Sequence, residues 1–354
     1  RDSSTSRGLG DVYKRQLENF RKHYKKMKTF ELHYNHVLPS GNVYVLHDPK
    51  KNFFIETTQM QDIDTKRKPQ EILTTTDPKI IKEHLVPIKD KWLIAISTQY
   101  GCPHKCMFCQ VPGLGFHGNL SADQMWEQIE FVLSRRPEVT ECHKIKLGFS
   151  RMGEPFWNWQ NICQVMKEMK TYRDSFTFLP CYNTIMPKGK SLGKRVEDVI
   201  LDEVMPLKEY LSGNMHLQIS CNSTDEEQRK KLFGGADVLS IQEIGNLFNG
   251  IKNTGRLVTL NFICGDGWEI DPKKLESLDP NIFCIKLTPL NINPAASGNG
   301  LKDAIGWNWD KMYEIRDRLE GFGLKVIIDI CAMAELDLSC GTLIQTKILC
   351  NYDE

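Results

Sequence analysis

A chain of 354 residues, 40% of them hydrophobic, carries enough apolar surface for one large α/β domain plus a smaller appendage, which excludes a disordered protein. With 46 basic and 45 acidic residues it is nearly neutral, so bulk charge neither demands nor excludes a nucleic-acid partner. No apolar run approaches the ~20 residues of a membrane span and no signal-peptide core opens the sequence, so no membrane partner, a cytoplasmic location and twelve reduced cysteines are expected.

Residues 1–16, "RDSSTSRGLGDVYKRQ", lack apolar periodicity and are expected to be a disordered leader or a scar of sequence assembly. A small N-terminal accessory domain is expected over residues 17–91. The basic stretch Lys14 to Lys28 spans its beginning, and the interleaved aromatics suit a phosphate-contacting helix and equally a solvated helix face. "GNVYVLHD" and "NFFIETTQ" then read as strands around a "DPKKN" turn.

From residue 92 to 330, strand-like runs alternate with amphipathic helical stretches. The runs are "WLIAIST", "KIKLGFS", "SFTFLP", "HLQISCN", "RLVTLNFI", "IFCIKLTPL" and "LKVIIDI"; helical stretches between them include 122–133, 159–169 and 309–319. Repeated βα units imply a parallel sheet with its ligand site at the strand C-termini, in an open or closed barrel or a doubly wound sheet. Residues 331–354 form a C-terminal tail.

Directly after the first of these strands, "STQYGCPHKCMFC" places Cys102, Cys106 and Cys109 at CxxxCxxC spacing. A zinc site would need a fourth ligand, for which His104 and His117 are nearby. An iron-sulfur cluster held by three thiolates instead leaves one iron open to substrate or cofactor. Cys142, Cys163, Cys221, Cys264 and Cys284 lie in apolar surroundings and read as small buried hydrophobes.

The cysteine loop, with Phe108 before its third Cys, resembles that of the radical S-adenosylmethionine (SAM) superfamily. "CMFCQVPGLGFHGNLSADQMWEQI", "RMGEP", "ISCNSTDEEQR", "KLTPLNINP" and "ELDLSCGTL" follow in the order in which similar motifs occur in the RlmN/Cfr-type RNA adenine methyltransferases. That family methylates adenine C2 or C8 in 23S rRNA, and C2 in some tRNAs.

The resemblance implies an α/β fold, a partial (β/α)6 radical SAM barrel, with a 4Fe-4S cluster on Cys102, Cys106 and Cys109. It implies S-adenosylmethionine on the open iron, contacted by Gly153, Glu154, Cys181, Ser220, Asn222 and Asn291. RNA as substrate and an electron donor such as flavodoxin or ferredoxin are the partners implied. In the family, the Cys matching Cys340 is methylated by one cofactor molecule. A second supplies the radical that abstracts hydrogen from that methyl, and the resulting methylene radical adds to the adenine ring. The family's general-base Glu falls in strict register on Lys82, with Glu83 one place away.

The sequence also departs from the family. A second family Cys, seven residues before the cluster, releases the RNA adduct, and that position is Ala95 here. Gly118 replaces an Arg, and "DICAMA" holds no basic residue where the family is Arg-rich. A diverged radical enzyme acting on a small molecule or another macromolecule is therefore the alternative. A non-enzymatic nucleic-acid-binding protein with a structural metal cluster, suggested by Lys14 to Lys28, is a further one.

Overall fold

Ten strands join one sheet in the computed structural model, which describes residues 29–64, 69–172, 175–305, 308–329 and 340–349. In chain order the strands are β1 (Glu31–Leu38), β2 (Gly41–Asp48), β3 (Phe53–Gln61), β4 (Trp92–Ala95), β5 (Gln99–Gly101), β6 (Phe116–Asn119) and β7 (Cys142–Gly148). They continue with β8 (Phe176–Thr184), β9 (Lys190–Ser191), β10 (Lys194–Arg195), β11 (His216–Ser220), β12 (Val258–Cys264), β13 (Phe283–Pro289) and β14 (Val326–Ile328). The main sheet runs β1-β2-β3-β4-β7-β8-β11-β12-β13-β14, while β5-β6 and β9-β10 are separate two-stranded ribbons.

From β4 to β14 every neighbouring pair is parallel, as expected of repeated βα units, and the sheet stays open. Six strands from β4 to β13 form the expected partial barrel, and the short β14 adds a seventh. The segment expected as an accessory domain contributes β1 to β3, which extend this same sheet antiparallel to β4. Strand β1 was not foreseen, because "ELHYNHVL" is polar and largely exposed. The helices Pro69–Thr74 and Pro78–Glu83 of the same segment were also missed. Lys14 to Lys28, and the tail apart from residues 340–349, lie outside the described residues.

Side-chain alternation explains why the sheet has one dry and one polar face. Ile145 and Leu147 of β7, Leu217 and Ile219 of β11, Leu260 and Phe262 of β12, and Ile285 and Leu287 of β13 are buried in the hydrophobic core. The helices Ala122–Ser134 and Trp159–Met169 add Trp126, Ile129, Ile162 and Met166 to that core. Ser121 fixes the start of the first helix by a capping box with Gln124. Most intervening strand positions are polar, and Lys144, Lys146, His216, Gln218, Ser220, Thr259, Lys286 and Thr288 line cavities on the concave face, together with Ile263. Among the described residues no helix is long and apolar enough to cross a membrane.

Candidate active site

The cysteine loop lies between β5 and β6, beyond the C-terminal end of β4. Cys102 N–H donates to Gly115 O at 3.0 Å, and Met107 N–H to Leu232 O at 2.9 Å. Asn293 and Asn299, from the segment after β13, donate side-chain N–H groups to Phe108 O at 2.9 Å and Met107 O at 2.7 Å. Elements far apart in sequence therefore hold this loop over the strand ends.

Cys102, Cys106 and Cys109 line a cavity of about 350 Å3, a size that suits a small-molecule site. Burial raises all three thiols, Cys102 to about 12, and their mutual repulsion adds to the effect in Cys106 and Cys109. Deprotonating such a trio needs a compensating metal charge. Among the described residues no three His, Cys, Asp or Glu side chains converge closely enough to hold a single metal ion. A cluster differs from a single ion, since each thiolate takes its own iron. His104 is a poor fourth zinc ligand: its Nε2 accepts from Trp157 Nε1 at 2.8 Å, and burial lowers its pKa. His117 is exposed, with Nε2 3.1 Å from Leu114 O.

In the same cavity, Glu154 is almost fully buried. Its carboxylate accepts from Thr184 Oγ1 at 2.5 Å, Ile185 N at 3.1 Å and Phe156 N at 3.1 Å. No Lys, Arg or His pairs with it among the described residues, and burial pushes its carboxyl up to about 7. A buried carboxylate without a cation fits a ligand that brings its own ammonium group. The residues present are thus compatible with S-adenosylmethionine beside a three-thiolate cluster. Gly153 before it has φ +109°, and a Cβ there would stand 2.5 Å from Thr98 Oγ1, so only Gly fits.

Of the other expected cofactor contacts, Ser220 at the end of β11 and Asn291 beyond β13 line this cavity. Cys181 and Asn222 do not. Cys181 is buried within β8, its Sγ 3.6 Å from Leu179 O. Asn222 is buried at φ +64°, and its Oδ1 accepts from Ile263 N at 3.3 Å. Glu83 is exposed at the end of the helix Pro78–Glu83 and does not reach the cavity.

Cys340 does reach it. Its Sγ lies 3.3 Å from Ser150 O and 3.8 Å from Arg151 Nη1. Arg151 Nη2 pairs with the fully buried Glu56 at 2.7 Å, and Glu56 also accepts from Gly341 N at 2.8 Å and Ile344 N at 3.2 Å. Gly341 takes φ +80°, the left-handed turn that follows the thiol. Sequence reasoning assigned no role to Glu56 or Arg151. It also missed Asn183, Gln218 and Thr288 in the cavity wall, although Gln218 follows from Ser220 by the two-residue strand period. Ala95, at the end of β4, pairs with Gly148 in register.

No family model matches the chain. Among curated proteins, it is 24% identical to a probable dual-specificity RNA methyltransferase RlmN of Chlorobaculum tepidum over 81% of this chain and 74% of that one. It is 26% identical to a protein of the same description from Porphyromonas gingivalis, over 76% of this chain and 73% of that one. Among solved structures, a radical SAM methyltransferase from Sphaerobacter thermophilus matches with a TM-score of 0.61 at 17% identity, over 89% of this chain and 81% of that one. That structure shares the fold. The curated relatives, described as RNA methyltransferases, indicate an enzyme.

Proposed function

We propose that this enzyme is an RNA methyltransferase that methylates adenine, at C2 or C8, in 23S rRNA or tRNA, by way of a methyl group carried on Cys340. The observation that carries this reading is that Cys340 lines the same cavity as the three loop thiols and Glu154, from the far end of the chain. When bound, a 4Fe-4S cluster with S-adenosylmethionine supplies a radical able to break an unactivated C–H bond. An adenine C–H carbon is no nucleophile, so ordinary methyl transfer to it fails and a carrier thiol has a purpose.

In this reading Cys102, Cys106 and Cys109 hold the cluster, and Glu154 takes the ammonium group of the cofactor. Gly153 lets the backbone approach closely, while Ser220 and Asn291 contact the remainder. Arg151 and the Ser150 carbonyl position the Cys340 thiol. Val111, Ile263 and Leu290 supply apolar wall that keeps water from the reacting atoms. RNA and an electron donor such as flavodoxin or ferredoxin are the partners.

Incubating the reconstituted enzyme with cofactor bearing a deuterated methyl group tests the carrier. Mass spectrometry is expected to find the label on the Cys340 peptide, and an unlabelled peptide rejects the reading. The alternative, a radical enzyme acting on another substrate, is favoured by Ala95, whose methyl group cannot do the work of the family's second thiol.

A further inference from the structure

The concave face of the sheet holds a second cavity, of about 420 Å3, deeper in the barrel than the one lined by Cys340. The two share strands. His216 faces the deeper cavity and Gln218 the active site on β11, as do Thr259 and Ile263 on β12, and Lys286 and Thr288 on β13. At ~3.3 Å per residue, these offsets separate the two linings by about 7–13 Å.

The deeper lining is cationic. Lys91, Lys144, Lys146, Arg256 and Lys286 face it against only Asp62 and Asp329. Lys91 pairs with Asp62, and Lys286 with Asp329 at 2.5 Å. The side chains of Lys144, Lys146 and Arg256 have no hydrogen bond or ion pair among the described residues. His216 adds no charge, because burial and the facing Lys146, Lys286 and Arg256 push its imidazole down to about 3. The lining thus carries three cations in excess of its carboxylates, of which Arg256 is exposed and Lys146 is half-buried with its charge supported by Asp329 and Asp62. A single carboxylate would answer one of them, whereas a phosphate brings up to two charges and several acceptor oxygens that ammonium and guanidinium donors can share.

We propose that this deeper cavity is a phosphate-binding site, taking a phosphate group of the molecule whose reacting carbon enters the active site. The proposal stands on the deeper cavity itself and does not depend on RNA being the substrate.

The test is isothermal titration calorimetry of the reconstituted enzyme with inorganic phosphate and with adenosine 5'-monophosphate, against adenosine and acetate as controls. Phosphate and the nucleotide are expected to bind saturably and more weakly as salt rises, with adenosine and acetate inert in the same range. Arg256→Ala and Lys144→Gln should each weaken binding by about tenfold, the loss of one charge-assisted contact, at unchanged melting temperature. Arg256 is exposed and its side chain is unpartnered among the described residues, so its variant stands even if Lys144→Gln does not fold. No saturable binding, or binding unaltered in Arg256→Ala, overturns the proposal.

Competition then separates the sources. A short oligoribonucleotide that displaces phosphate supports an RNA phosphate in the site, and displacement by the mononucleotide alone supports a small phosphorylated substrate. Displacement by neither overturns the link to the substrate. Phosphate binding without RNA methylation would remove only the RNA reading.

Discussion

The Glu56 carboxylate accepts the N–H of Gly341 at 2.8 Å, so a residue of the antiparallel edge hairpin grips the chain next to Cys340. The same carboxylate pairs with Arg151, whose other terminal nitrogen reaches the Cys340 sulfur. One buried ion pair therefore ties β3, the loop after β7 and the C-terminal segment together.

Removing one partner of this pair should cost more than removing both. Glu56→Gln leaves a buried guanidinium uncompensated and is expected to destabilise the fold by about 3–5 kcal/mol. Glu56→Gln combined with Arg151→Met should cost less than the sum of the single changes, a coupling that urea denaturation of all four proteins measures. Cys340 should also alkylate faster in Glu56→Gln, since its anchor is gone.

The thiol loop should bind iron rather than zinc. Anaerobic reconstitution is expected to load about four irons per chain, and Cys106→Ala should lose the cluster while keeping its far-ultraviolet circular dichroism. Stoichiometric zinc in the wild-type protein would exclude the radical chemistry.

Glu154 sets a pH dependence. Its folded-state value of about 7 lies above the ~4.3 of an unfolded glutamate, so the stability its neutral form contributes is present at low pH and lost as pH rises through 7. Without cofactor, Glu154→Gln should therefore gain in melting temperature relative to wild type as pH rises from about 4 to about 7, and hold that gain at higher pH. Cofactor binding should strengthen over the same interval in wild type, as the carboxylate forms to meet the ammonium group, and stay weak and flat in the variant. Parallel pH profiles for the two proteins would remove Glu154 from that role.

Much of this arrangement was legible in the sequence because it is local. The alternation of "CHKIKLG" marks a strand with Ile145 and Leu147 on one face and Lys144 and Lys146 on the other, and the cysteine spacing needs only eight residues. What was not legible is long-range. Glu56 and Gly341 meet across 285 positions, and no periodicity links them. Strand β1 hid because a polar, exposed edge strand lacks apolar alternation. Cys181 and Asn222 matched by position and Glu83 lay one place from its match, yet whether a side chain reaches a cavity depends on where the helix ends, how deep in the barrel it sits and which way the backbone turns.

Ala95 predicts a stalled enzyme. Its Cβ lies 3.8 Å from where a Cβ on Gly148 would stand, and Ser150 Oγ is 2.9 Å from that point. Ser150 in turn touches Cys340 through its carbonyl. A thiol introduced by Ala95→Cys would therefore enter the neighbourhood of Cys340. Wild-type protein incubated with RNA and cofactor should accumulate a covalent RNA adduct visible on denaturing gels, and Ala95→Cys should release it and restore turnover. An adduct that persists unchanged in the variant would show that resolution uses another group.

Mass spectrometry of nucleosides from RNA treated with the reconstituted enzyme and methyl-deuterated S-adenosylmethionine tests the central claim most directly. The account predicts labelled C-methyladenosine released into RNA by Ala95→Cys, the same labelled adenosine held on Cys340 as a covalent adduct in wild-type protein, and neither with Cys340→Ala. Formation of 5'-deoxyadenosine with no labelled adenosine, either released into RNA or held on the protein, would contradict it.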